Sequence, residues 1–215
     1  MSRPPVIGSA DWADRPFRAV VLGGSAGGTA ALLTLLEPLE KDFPLPLIVV
    51  SHLHKSDHGA FCAHLASATP LAVKEAGDKE PLLPGHLYTA PADYHLLVER
   101  GGALALSVDP KVHWARPSID VLFESAARAY AEDLVAVILS GANDDGAAGL
   151  RLIAAYGGLC LAQDPATADS PFMPQAGIHL ANIKLVLPPD AIGQVLAAMG
   201  RANLADRARE GGGER

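Results

Sequence analysis

Arg18-Ala-Val-Val-Leu-Gly-Gly-Ser25-Ala-Gly-Gly28, followed by Ala30, Ala31, Leu32, Leu33, Leu35, Leu36 and Leu39, is the stretch that decides the fold. A short apolar run ends in glycines and gives way to apolar residues at helical spacing, which predicts a strand, a tight turn and a helix. A second apolar run over residues 45–50 ends at Ser51-His52, and a short helix over 60–67 precedes another strand at 71–75. The middle of the chain reads differently. Residues 85–90 and 94–98 flank a Pro91-Ala92-Asp93 turn and predict short strands or a hairpin. From Ile119 the alternation resumes: helix 119–131, strand 134–139, a polar glycine-rich turn, helix 147–155, strands 158–162 and 185–187, and helix 191–199. Strands that are apolar throughout are buried on both faces, so the expectation is an α/β fold with a doubly wound, largely parallel, Rossmann-like sheet. Helices should cover both faces, with a small antiparallel hairpin inserted.

The composition agrees with one good-sized domain and excludes several classes of function. With 49% hydrophobic and 19% charged residues, the 215-residue chain is too apolar to be disordered, and 5% aromatics is too few for a stacking platform for single-stranded nucleic acid. A formal charge of -7, with no run of basic residues, argues against nucleic acid and anionic lipid as partners. Cys62 and Cys160 are too few and too far apart for a disulfide framework or a structural zinc site, which fits a reducing cytoplasm. No stretch predicts a signal peptide or a membrane span. The expected layout is an N-terminal extension over 1–17, one domain over 18–200 and a flexible tail over 201–215 that ends in a glycine run.

In open parallel sheets, sites form beyond the carboxyl ends of the strands. Three polar stretches take such positions: the glycine-flanked Ser25 turn, Ser51-His52, and Ser140-Gly-Ala-Asn-Asp-Asp145-Gly146. Ser25 at a strand-to-helix turn has the exposure and the nearby helix amides that a nucleophile needs, but the same turn also suits a helix N-cap or a phosphate loop. His52, on the next strand, is a candidate base for Ser25 or a structural histidine. Asp144 or Asp145 could orient that base through its Nδ1–H, or cap the helix that follows. The rival chemistry is zinc, because His52-Leu-His54-Lys-Ser-Asp57-His58 approaches the His-x-His-x-Asp-His motif of metallo-β-lactamase-like hydrolases. It is longer than that motif by about one residue, so neither a metal nor a cofactor is expected. His64, His86, His95, His113 and His179 carry no assignment.

Taken together, the motifs resemble the catalytic domain of the bacterial chemotaxis protein-glutamate methylesterases, the CheB family. The similarity rests on Gly-Gly-Ser25-Ala-Gly-Gly, Val49-Val-Ser-His52, the segment from Pro84 to His95, Arg116-Pro-Ser-Ile-Asp120 and its continuation to Ala126, Ser140 to Leu150, and Ala162-Gln-Asp-Pro-Ala-Thr167, with Met173-Pro174 close behind. The resemblance implies catalytic Ser25, His52 and Asp145, as nucleophile, base and orienter. It further implies removal of methyl esters from chemoreceptor glutamates, with deamidation of receptor glutamines as a second activity. The partner is then a methylated chemoreceptor, with neither nucleic acid nor membrane insertion involved. The family's usual receiver domain is not expected ahead of Arg18. Ser51, Ala26, the Gly141-Ala142-Asn143 run and Gln175 depart from the family pattern around the site, so the alternative is a retuned CheB-like domain that binds a signalling partner.

Overall fold

The structure, a computed structural model, describes residues 15–211. The expected N-terminal extension and the last residues of the expected tail therefore lie largely outside the described residues. Strands β1 (Ala19–Gly24), β2 (Leu47–Ser51), β3 (Ala72–Glu75), β4 (His86–Thr89), β7 (Leu134–Ile138), β8 (Leu159–Gln163) and β9 (Leu185–Leu187) build one sheet in the order β3-β4-β2-β1-β7-β8-β9. Every pairing in it is parallel. A separate antiparallel pair is formed by β5 (His95–Val98) and β6 (Leu104–Ser107). The helices are α1 (Gly28–Leu36), α2 (Ala60–Ala68), α3 (Ile119–Tyr130), α4 (Ala147–Ala155), α5 (Phe172–Ala181) and α6 (Pro189–Gly211).

The period-2 alternation of each central strand distributes its apolar side chains to two cores. Val20 and Leu22 of β1, Leu47 and Val49 of β2, and Val135 and Val137 of β7 join α1, α2 and α6 on one face. Ala19, Val21, Ile48, Val50, Ala136 and Ile138 join α3, α4, α5 and the β5–β6 pair on the other. All are within a few per cent of full burial, which is why these strands read as unbroken apolar runs. From β1 the chain winds outward through β2 and returns to β7 on the opposite side of β1, so the switch in strand order lies between β1 and β7. A crevice opens there, beyond the carboxyl ends of the strands.

Three elements differ from the sequence-based expectation. β4 does not pair with β5 as a hairpin; it inserts into the parallel sheet between β3 and β2, and the hairpin is β5–β6. Helix α5 was not among the expected elements, and it follows Pro171 and contains Pro174. Both lie at the helix start, where backbone N–H groups have no intrahelical acceptor to lose. Its Gly177 lets α5 press on α4, since a Cβ there would stand 2.8 Å from Leu150 Cδ1. Helix α6 runs through Gly211, so residues 201–211 of the expected tail are helical, and Asn203 Nδ2 donates to the Phe17 carbonyl at 2.9 Å.

Candidate active site

Two of the three sequence-predicted site residues reach the crevice through strand register alone. Gly24 at the end of β1 pairs with Ser51 at the end of β2, so Ser25 and His52 leave adjacent strands side by side. Neighbouring strands lie about 4.8 Å apart, so the backbones of Ser25 and His52 leave the sheet at neighbouring points of its edge. The turn after Ser25 is fixed by a left-handed Gly27 (φ 75°), a conformation that a side chain would strain. Ser140, fully buried at the end of the neighbouring strand β7, clamps this turn twice. Its carbonyl accepts the Ser25 N–H at 2.8 Å, and its hydroxyl donates to the Ala26 carbonyl at 2.7 Å. Gln163 in turn accepts the Ser140 N–H at 2.8 Å through its side-chain oxygen.

Asp145 comes from the β7–α4 loop and is completely buried, and its carboxylate accepts four hydrogen bonds. Oδ2 accepts from His52 Nε2 at 2.7 Å and from the Ile119 N–H at 2.8 Å. Oδ1 accepts from Ser118 Oγ at 2.8 Å and from the Asp120 N–H at 2.9 Å. The carboxylate therefore caps the first turn of α3, where the helix dipole favours negative charge, rather than the helix that follows it in sequence. Burial alone would push its carboxyl up. The His52 bond, the Asp120 and Ile119 amides and the Ser118 hydroxyl outweigh burial and hold the pKa below the ordinary aspartate value.

The expected Nδ1 contact of His52 is corrected: Asp145 meets Nε2, at 2.7 Å, and Nδ1 is the ring nitrogen not engaged by the acid. Which nitrogen faces the acid depends on the ring torsion, which sequence does not encode. Asp144, the other candidate, points elsewhere and meets His113 Nδ1 at 3.3 Å with 62% of its side chain exposed. The zinc-like run does not converge either. His54 bonds Ser56, Asp57 accepts the Phe61 N–H, and His52 is held by Asp145. Among the described residues, His113, Asp120 and Asp145 do bring ligand-type atoms within 4.8 Å of one another. Asp145 already accepts four donors there, so an ion would have to break its bonds to α3 or to His52.

Ser118, Ser140 and His95 were missed by the sequence reading. His95 is buried, accepts the Ser118 N–H on Nδ1 at 3.2 Å and donates from Nε2 to the Pro110 carbonyl at 3.1 Å. It thereby fixes the backbone that presents Ser118 to Asp145. Its place in a short strand of apolar residues was the available signal, since an imidazole there must be buried with both nitrogens satisfied.

Fold and site together define a doubly wound α/β protein that gathers a serine, an imidazole and a buried, ionised carboxylate at its topological switch point. That set can support acyl transfer, with the imidazole moving a proton to or from the serine. The family model of the CheB methylesterases matches residues 20–196, and the chain belongs to that family of carboxylic-ester hydrolases. A protein of Leptospira interrogans is 39% identical over 191 residues, covering 89% of this chain and 99% of the relative. The protein-glutamate methylesterase/protein-glutamine glutaminase of Nitrosospira multiformis is 39% identical over 181 residues, and there the match spans 84% of this chain but 51% of the relative. The crystal structure of the Thermotoga maritima CheB methylesterase catalytic domain superposes with a TM-score of 0.80 at 34% identity, over 84% of this chain and 97% of that one.

Proposed function

We propose that the chain is a serine esterase that removes methyl groups from glutamate γ-methyl esters on chemoreceptors, and deamidates glutamines at such positions, in chemotaxis-like signalling. The reading is carried by the His52–Asp145 pair, anchored on α3, with His52 directly after β2 and Ser25 directly after the neighbouring β1. In this mechanism Ser25 Oγ attacks the ester carbonyl carbon while its proton passes to Nδ1 of His52. The Ser25 N–H is engaged by Ser140, so the carbonyl oxygen that becomes an alkoxide faces the Ala26 and Gly27 amides ahead of α1. Collapse breaks the bond to the methoxy oxygen, which takes the proton back from His52 and leaves as methanol. Water then attacks the acyl-serine, with His52 again accepting and returning the proton, and the products are a glutamate carboxylate and a restored Ser25 hydroxyl. With a glutamine substrate, ammonia takes the place of methanol.

Asp145 stays ionised throughout. It fixes the tautomer that leaves Nδ1 basic and stabilises the imidazolium that forms. The test is methanol release from receptor cytoplasmic fragments carrying methylated glutamates. Release that disappears in Ser25→Ala is expected. Equal release by a folded Ser25→Ala variant would overturn the assignment.

A further inference from the structure

Beside His52 lies an open cleft of about 460 Å³ whose far wall is the segment from Lys111 to Arg116. Val112 and Ala115 exchange backbone hydrogen bonds of 3.2 and 2.9 Å, and the two residues between them, His113 (φ 49°) and Trp114 (φ 62°), are both left-handed. Such a turn ordinarily takes glycine or asparagine, and a histidine–tryptophan pair in it is strained. The turn is nevertheless fixed. His113 Nε2 meets Asp120 Oδ2 at 3.1 Å and its Nδ1 meets Asp144, while Arg116 donates to the Val108 and Asp109 carbonyls and to Asp93 Oδ1. The result is an indole held 94% exposed at the rim of the cleft. A tryptophan is rarely left that open on a free surface, and it is among the side chains most enriched at binding hot spots.

The charge of the cleft indicates what would cover it. The chain carries a formal charge of -7, but the cleft is lined by Lys55, Lys111 and Arg116 against the single carboxylate of Asp93. Asp93 holds Lys55 Nζ at 3.0 Å and Arg116 Nη2 at 2.9 Å, and Lys111 pairs with no carboxylate among the described residues. A local cationic surplus on an acidic protein selects an anionic partner and steers it to the site.

We infer that the Lys111–Arg116 turn is a docking element for an acidic protein segment, with Trp114 as its apolar anchor and Lys111 as its charge reader. It would hold carboxylate-rich residues flanking the reacting ester on the His52 side of the cleft. The inference rests on the esterase reading of the site that shares His52 with this cleft, and Trp114 allows it to be tested separately. The chain has two tryptophans, so Trp12→Phe leaves Trp114 as the sole indole reporter.

The measurement is a titration of the Trp12→Phe/Ser25→Ala protein with a synthetic helical peptide that carries one glutamate γ-methyl ester flanked by glutamates, followed by its Trp114 emission. A lysine-flanked counterpart and vesicles of anionic phospholipid are the comparisons. Expected are a blue shift with the acidic peptide and binding weaker by about tenfold or more for the lysine-flanked one. Affinity should fall as salt rises from about 50 to about 200 mM, and Lys111→Glu should lower it again. In the catalytically intact chain, Trp114→Ala should raise KM for the acidic peptide about tenfold and change its kcat far less. Equal binding of the two peptides, a shift with vesicles alone, or a Trp114→Ala enzyme with the parent's KM would each overturn the proposal. If the peptide shifts Trp114 as expected but the parent releases no methanol from it, docking stands and the esterase reading fails.

Discussion

Replacing Asp145 by asparagine is the most discriminating perturbation of the site, because each outcome can be worked from the four donors that meet the carboxylate. An amide presents one acceptor and one donor where the carboxylate presents two acceptors. If its NH2 takes the place of Oδ2, it faces the Ile119 N–H and forces His52 to accept at Nε2, so that Nδ1 carries the proton and cannot receive one from Ser25. If it takes the place of Oδ1, Ser118 can rotate its hydroxyl to accept, but the Asp120 N–H loses its partner and His52 keeps only a neutral one. Either way one buried amide in the first turn of α3 is orphaned, at about 1–3 kcal/mol of stability. A misoriented or misprotonated base costs about four orders of magnitude in kcat, or about 5 kcal/mol of barrier.

The stability loss should depend on pH with a definite sign. Because the folded Asp145 pKa is depressed, its stabilisation is present above the unfolded value of about 3.9 and is lost as pH falls through the folded value. The gap in melting midpoint between parent and Asp145→Asn should therefore be full at neutral pH and close below about pH 4. Steady-state turnover of one ester substrate and thermal melts from acid to neutral pH read both effects, with Asp144→Asn as the control. Its side chain is mostly exposed and, among the described residues, pairs only with His113, so turnover within about threefold of the parent is expected. A cooperatively folded Asp145→Asn enzyme within about tenfold of the parent, or a larger loss for Asp144→Asn, would refute the reasoning.

Two further substitutions address the scaffold. His95→Leu takes the acceptor from the buried Ser118 N–H and the donor from the Pro110 carbonyl, and should lower stability by about 2–4 kcal/mol in urea unfolding, whereas a surface histidine would move it little. Asp120→Asn should leave the neutral-pH melting midpoint unchanged or raise it. Burial, with the Asp145 charge beside it, lifts the Asp120 pKa against the Gly149 amide and His113, so its ionised form opposes folding at neutral pH. The amide can still accept from Gly149, and any gain over the parent should vanish in acid, where the parent's Asp120 is protonated; a drop of several degrees at neutral pH would contradict this.

The sheet was legible because its strands are buried on both faces, so their apolar runs stand out against polar turns, and the order of elements followed from β–α alternation. What failed to show was structure that depends on partners distant in sequence. β4 has the same apolar, tyrosine-containing pattern whether it pairs with β5 or inserts beside β2, and only the sheet decides. Helix α5, whose prolines are harmless in a first turn, was not among the expected elements. At the site, Ser25, His52 and the Asp144–Asp145 pair announced themselves by falling at strand ends. The choice of Asp145 came from the motif resemblance, and the packing of the β7–α4 loop against α3 supplies its physical reason: one aspartate meets the helix amides and the other faces water. Ser118, Ser140 and His95 act through contacts made with groups distant in sequence, and their types alone carry no mark of it.

The central claim, that Ser25 is a nucleophile activated by His52, is tested most directly by treating the protein with a fluorophosphonate and locating the adduct by peptide mass spectrometry. The account predicts one stoichiometric adduct on Ser25 that is lost in a folded His52→Ala variant. A folded protein that takes no label, labels on another residue, or labels Ser25 equally well without His52 would contradict it.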